Sequence, residues 1–137
     1  MSIRWKTSLW WALGVMGALP LVAHHSITAE FDTSKSFSVQ GTLAKIEWVN
    51  PHSYIYLDAK DEKGAVTSYS FEAGPPGNLR RAGVLRNMLS VGDAVTIDAY
   101  AAKDGSKHLG LVKAIHFADG HTIVMGKDPA DLERLNK

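Results

Sequence analysis

The chain has 137 residues, with 15 lysines and arginines against 14 aspartates and glutamates, and it contains no cysteine. This length fits one domain of ordinary size, and a hydrophobic content of 45% can supply its core. The formal charge of +1 argues against nucleic acid as the main partner. The lack of cysteine excludes disulfides, thiolate metal sites, covalent haem and a cysteine nucleophile.

The first 23 residues are typical of a secretory signal peptide. Arg4 and Lys6 precede an uncharged apolar stretch, and Pro20 interrupts that stretch shortly before the small residue Ala23. We expect cleavage after Ala23 and a periplasmic or secreted protein that keeps no membrane span. An uncleaved membrane anchor is the alternative, although the stretch is short for a span.

Beyond residue 23, hydrophobic alternation predicts an all-β domain. Residues 24–36 show no period and are interpreted as an N-terminal arm, residues 37–125 as the domain, and residues 126–137 as a C-terminal tail. The alternation changes phase after Leu43, which predicts a bulge near Ala44. The predicted strands cover residues 37–48, 53–60, 66–73, 94–101, 108–117 and 121–125.

Turn-forming residues separate these strands and place a helical insert between the third and the fourth. Gly74-Pro75-Pro76-Gly77 ends the third strand, and Asn78 is expected to cap a short helix. Asp119-Gly120 predicts a two-residue hairpin turn, which would pair His116 with Ile123. This order of elements predicts a small OB-like antiparallel barrel. An open antiparallel sheet or a β-sandwich is the alternative.

Two short motifs stand out, His24-His25-Ser26 at the expected cleavage site and Asn50-Pro51-His52 ahead of the second strand. They occur together with Ala29-Glu30-Phe31-Asp32, Gly41-Thr42, Trp48, Arg80-Arg81 with Gly83, Gly92-Asp93 and Lys103-Asp104-Gly105-Ser106. This set resembles a family of small exported bacterial proteins catalogued as a domain of unknown function. The resemblance covers nearly the whole mature chain. It implies export and one small β-domain, and it implies no activity.

The expected new N-terminus carries the sharpest chemical feature. His24 would offer its α-amine and its imidazole to one metal ion, and nitrogen ligands of this kind suit copper. His52, which follows the rigid Pro51, is the predicted third ligand, and His25 gives a second route to chelation of Cu(II). The alternative is that His24 and His25 are flexible terminal residues and that His52 caps a turn.

Two further groups of residues are weaker candidates for a site. On the predicted two-residue turn, His116 and His121 would share one face as diagonal neighbours and form a second metal candidate. Polar positions on a half-buried sheet explain them equally well. Arg80, Arg81 and Arg86 on the helical insert could bind an anion, and a solvated helix face is the alternative.

These features predict an exported periplasmic binding protein that binds copper through a free N-terminal histidine. The alternative is a non-metal interaction module that holds a peptide, a glycan or an envelope protein on the barrel face. A copper oxidoreductase is a third class, for which so small a barrel offers little room. No motif of paired carboxylates, nucleophile or phosphate loop points to catalysis without a metal.

Overall fold

The computed structural model describes residues 26–125, 130–131 and 134. The predicted signal peptide, His24, His25 and most of the predicted tail lie outside the described residues. The helices are α1 (Ile27–Glu30), α2 (Pro76–Arg81) and a 3-10 helix (Arg86–Met88). The strands are β1 (Phe31–Glu47), β2 (Ser53–Lys60), β3 (Val66–Ala73), β4 (Ala94–Ala102), β5 (Leu109–Phe117) and β6 (Thr122–Val124).

The strands form one closed sheet of OB-like topology. Their order is β3-β2-β1-β4-β5-β6, and a parallel pairing of Ser70–Glu72 on β3 with Leu109–Leu111 on β5 closes the first five into a barrel. The other pairings are antiparallel. The helical insert stands between β3 and β4, as the sequence predicted. The prediction of a small OB-like barrel is therefore confirmed. The expected capping by Asn78 is wrong, because α2 already begins at Pro76 and Asn78 lies inside it.

Strand β1 bends because it pairs along both of its edges. Residues up to Thr42 pair with β4, and residues from Thr42 onward pair with β2. The predicted bulge is confirmed, since the register with β2 shifts between Leu43 and Lys45. A Cβ on Gly41 would stand 2.5 Å from the carbonyl oxygen of Asp58, so a side chain at this position would push β2 away.

The beginning of the domain differs from the prediction. Strand β1 starts at Phe31 rather than at Phe37, and the unpredicted helix α1 precedes it inside the expected arm. The register with β4 is irregular between Asp32 and Ser36. This irregularity removes the alternation by which a strand is recognised in a sequence, so a bulged strand was interpreted as an arm.

The last hairpin also differs from the prediction. The backbone N–H of Phe117 donates to the carbonyl oxygen of His121 at 3.0 Å, and Gly120 has a φ of 92°. The loop therefore contains three residues, 118–120, and His116 pairs with Thr122 instead of Ile123. The prediction of a two-residue turn was wrong because Asp-Gly also suits a three-residue loop, whose last residue takes a positive φ.

The core of the barrel is built from inward-facing apolar side chains, such as the fully buried Phe71 and Ile97. The helical insert adds Leu79, Val84 and Leu89 to the same cluster. Residues of one strand that point away from this core come to lie beside those of the neighbouring strands, where they are available for other contacts.

Candidate functional site

The N-terminal segment is held by a second apolar cluster that is separate from the barrel core. Ile27 and Phe31 are 4% and 2% exposed, and they pack with Tyr100 of β4 and Leu111 of β5. Burying two large apolar side chains of this kind stabilises the contact by about 2 kcal/mol each. The segment is therefore docked on the barrel from Ile27 onward.

Lys103, just beyond the end of β4, adds polar contacts to the same segment. Its backbone N–H donates to the carbonyl oxygen of Glu30 at 2.9 Å, and its ammonium group donates to the carbonyl oxygen of Thr28. Glu30 thereby lines a concavity of about 320 Å³ whose wall also includes Glu72 of β3. Two carboxylates from distant parts of the sequence are brought to one concavity.

His52 forms a close pair with Glu72, one of the residues that line this concavity. Tyr54 pairs with Glu72 across β2 and β3, so His52 and Glu72 are diagonal neighbours on one face of the sheet. The distance from His52 Nδ1 to Glu72 Oε1 is 2.6 Å, and the two side chains are only 20% and 9% exposed. The peptide bond between Asn50 and Pro51 is cis, and His52 connects Pro51 to the start of β2. The pair is a short hydrogen bond largely shielded from water.

Burial dominates the electrostatics of the pair. Burial and, to a smaller extent, the negative charge of Glu30 raise the pKa of Glu72, a hydrogen bond from Tyr54 lowers it, and the net result is a pKa of about 7. Burial and the charge of Glu72 also raise the pKa of the Tyr54 hydroxyl. The pKa of Glu72 therefore lies well above the ordinary carboxyl value, in a group that contacts the His52 imidazole.

The pair can hold an imidazole ring in one orientation. With Nδ1 engaged by Glu72, Nε2 is the nitrogen through which His52 can ligate a metal. Among the residues that the structure describes, no group of three or more histidine, aspartate or glutamate side chains is arranged to hold a metal ion. The other predicted ligands, His24 and His25, lie outside the described residues.

The structure does not bring His116 and His121 together. His116 Nε2 is 2.8 Å from Asp98 Oδ2, and its Nδ1 is 3.0 Å from the Thr122 hydroxyl. His121 instead contacts Asp119 and stacks on Phe117 at 3.9 Å between ring centroids. Because the hairpin register differs from the predicted one, His121 lies opposite Phe117, and the two imidazoles occupy neighbouring pair positions that face opposite sides of the strands.

The three arginines of the helical insert divide into two groups. Arg80 and Arg86 line a groove of about 420 Å³ that also includes Trp48, and the Arg86 guanidinium lies 5.8 Å from the Trp48 ring centroid. Arg81 instead donates a hydrogen bond to the side-chain oxygen of Asn78. Two of the three predicted anion-binding residues therefore share one surface.

Ser53 follows His52 in the sequence, but it points to the other side of the sheet. It is 1% exposed, and its hydroxyl has no hydrogen-bond partner in the described part of the chain. A hydroxyl in the core is out of reach of the His52 imidazole on the opposite face. The adjacent serine and histidine therefore do not form a nucleophile and its base.

Glu72 and Glu30 were not recognised as site residues from the sequence. Glu72 could have been found by extending the β2–β3 pairing from the turn at Asp61, because that register places it opposite Tyr54. No comparable pattern exists for Glu30, whose position follows from the tertiary packing of α1.

Fold and site define a class of protein: a small OB-like β-barrel with a shielded histidine–carboxylate pair beside its N-terminal segment. Within that class, the chain belongs to a family of unknown function, DUF6152, whose model matches residues 13–124. No helix of the described residues has the length and apolar character needed to cross a bilayer.

A solved structure and the curated proteins were compared with the chain. The crystal structure of the mitochondrial single-stranded DNA-binding protein Rim1 from S. cerevisiae is similar, with 16% sequence identity and a TM-score of 0.48. The match covers 64% of this chain and 97% of Rim1. No curated protein matches the sequence.

Proposed function

We propose that the protein is an exported copper-binding protein of the periplasm or the extracellular space. Cleavage after Ala23 would leave His24 as the first residue, with its α-amine and imidazole as two ligands of one copper ion. The imidazole of His52 would supply a third nitrogen, and His25 is an alternative ligand. Amine and imidazole nitrogens favour copper among the divalent first-row metals.

The hydrogen bond between His52 and Glu72 is the observation that carries this proposal. Metal-ligating histidines usually donate their second ring N–H to a carboxylate, which fixes the ring and makes the ligating nitrogen more basic. In this protein, the Glu72 carboxyl group lies 2.6 Å from Nδ1 of His52, and both side chains are largely buried. The same arrangement is unnecessary for a histidine that only caps a turn.

The docking of the N-terminal segment supports the proposal by geometry. Helix α1 begins at Ile27 and its last residue, Glu30, lines the same concavity as Glu72. His24 is joined to Ser26 by two peptide units, which limit the distance between their Cα atoms to about 7 Å. The covalent link would thus allow His24 to lie no farther than this from the start of the docked segment.

The test uses protein exported by a bacterial host, with the N-terminus determined by intact mass. Cu(II) is titrated against a competing chelator and followed by electron paramagnetic resonance. We expect one tightly bound ion with nitrogen ligands. A Gly-Ser insertion between Ala23 and His24 should weaken binding about 100-fold or more, and His52→Ala or Glu72→Gln about 10- to 100-fold.

The matched control is His116→Ala, which removes a histidine from another carboxylate pair and should leave the copper affinity unchanged. Equal affinity of the native chain and the His52→Ala variant would contradict the proposal, because the His-His start alone would then explain the binding. A mature N-terminus other than His24 would contradict it as well.

A further inference from the structure

A groove of about 420 Å³ lies between the end of β1 and the helical insert, apart from the His52–Glu72 pair. Its volume is within the range of small binding pockets. The proposed copper site uses none of its residues. The lining residues are Trp48, Pro76, Gly77, Arg80, Val84, Leu85 and Arg86.

The charge of the groove has one sign. Arg80 and Arg86 are its charged lining residues, no acidic residue lines it, and neither arginine forms an ion pair with a described residue. The Arg86 guanidinium lies over the Trp48 ring, 5.8 Å from its centroid, within the range of a cation–π contact. Two guanidinium groups without a counter-charge favour a carboxylate ligand.

The surroundings of the groove are apolar. Leu85 in the lining is 45% exposed, and Val49 and Met88, close in sequence to Trp48 and Arg86, are 47% and 40% exposed. Leu85 together with Trp48 gives the groove an apolar surface beside its two arginines, which a ligand can cover. A sugar would leave these side chains without a matching surface, whereas a peptide can cover them with its own apolar residues.

We propose that this groove binds an acidic peptide segment in which an aspartate or glutamate stands next to a bulky apolar residue. The peptide carboxylate pairs with Arg80 and Arg86, and the apolar side chain packs against Trp48 and Leu85. The contact of the Arg86 guanidinium with Trp48 favours an orientation in which the ion pair can form and so lowers the entropy cost of binding.

Peptide selection on the full chain provides the test. A random peptide library displayed on phage is selected on the immobilised protein, and the enriched sequences are synthesised with a fluorescent label. We expect enrichment of Asp or Glu beside Phe, Leu or Trp. Binding measured by fluorescence polarisation should weaken at least tenfold in Arg80→Gln and in Arg86→Gln. It should weaken by a similar factor when the aspartate or glutamate of the peptide is replaced by asparagine or glutamine.

Lys113→Gln is the matched control, because it removes a cation that lies 4.8 Å from the Tyr100 ring centroid and does not line the groove. Its affinity should stay within twofold of the native value. The indole resonance of Trp48, assigned with Trp48→Phe, should shift on addition of peptide.

Three results would overturn the proposal. They are a selection without enrichment of acidic residues, peptide binding that survives both arginine substitutions, and an indole shift produced by polygalacturonate but by none of the selected peptides. The last result would assign the groove to acidic glycans. Because copper is absent from the assay, failure here leaves the copper proposal to its own test.

Discussion

Two of the histidine–carboxylate pairs in this molecule have similar lengths, but the pKa values of their carboxyl groups are shifted in opposite directions. His52 lies 2.6 Å from Glu72, and His116 lies 2.8 Å from Asp98. The first pair is 20% and 9% exposed, and the second is 43% and 34% exposed. The pKa of Glu72 is raised to about 7, whereas that of Asp98 is lowered.

The surroundings of each carboxyl account for the difference. Burial also acts to raise the pKa of Asp98, but hydrogen bonds from Ser38 and His116 and the charge of Lys113 outweigh it. At Glu72, the N-terminal segment lines the same concavity and brings the negative charge of Glu30 near the carboxyl group. A nearby imidazole therefore does not by itself determine the ionisation of a carboxyl; access to water and the other charges decide it.

Undocking the N-terminal segment should make the surroundings of Glu72 more like those of Asp98. Phe31→Ala deletes a ring that is 2% exposed, and we expect it to lower the free energy of unfolding by about 3 kcal/mol. Loss of the docked segment should also lower the pKa of Glu72 toward its ordinary value of 4.5. Urea unfolding measures the first effect, and a carboxyl carbon NMR titration measures the second. Val66→Ala, on a side chain that is 53% exposed, is the control and should change stability by less than about 0.5 kcal/mol.

Deleting one imidazole at a time compares the two pairs directly. His52→Ala removes one hydrogen-bond partner of the largely buried Glu72, so we expect the free energy of unfolding to fall by about 2 kcal/mol at pH 7. His116→Ala affects a pair that water can solvate and should cost less than about 0.5 kcal/mol. Both are measured by urea unfolding of metal-free protein. Equal losses would mean that the shielding of the first pair has no energetic consequence.

The raised pKa of Glu72 predicts a pH dependence of stability. A carboxyl whose pKa is higher in the folded than in the unfolded chain stabilises the fold fully below pH 4.5, and this contribution is lost as the pH rises to about 7. When the pH is raised from 5 to 8, the free energy of unfolding of Glu72→Gln should rise by about 1–2 kcal/mol relative to that of the native chain. Unfolding curves of metal-free protein at both pH values measure the change. A constant difference between the two proteins would show that Glu72 does not titrate in this range.

The lowered pKa of Asp98 predicts the smallest change in stability, and this change occurs at acidic pH. Its contribution is present above the ordinary value of 3.8 and declines as the pH falls through the lower folded pKa. The stability advantage of the native chain over Asp98→Asn should therefore shrink by less than about 1 kcal/mol between pH 6 and pH 3. An advantage that grows on acidification would reverse the assigned sign. Urea midpoints across this range give the measurement.

Much of the fold could be predicted because its determinants are local. Turn residues and alternating side chains located β2 and β3 with the observed boundaries, and the phase change after Leu43 predicted the bulge. One error, the length of the last hairpin loop, arose because Asp119-Gly120 suits two loop lengths. Another arose where pairing with a distant strand replaces local pattern. Phe31, Asp32 and Ser36 belong to a strand because they pair with β4, and nothing in the alternation of residues 31–36 indicates this.

The candidate site was less accessible to sequence reasoning. His52 could be identified from its position after Pro51, but its carboxylate partner is 20 residues away in the sequence and meets it only through the register of β2 and β3. The grouping of Arg80 and Arg86 with Trp48 likewise required the packing of the helical insert against the end of β1. Local patterns indicate residue types suited to a site, whereas tertiary structure determines which of them meet.

The double pairing of β1 has a kinetic consequence. Its first half must find β4, as in the hydrogen bond between Ser38 and Asp98, which are 60 residues apart. Folds dominated by contacts between distant residues form slowly, typically in milliseconds to seconds. The barrel closes only when β5 joins β3 to β4, so a chain ending before Leu109 would leave both strands with open edges. Such edges pair readily with other chains, which makes the incomplete polypeptide the aggregation-prone form of this protein.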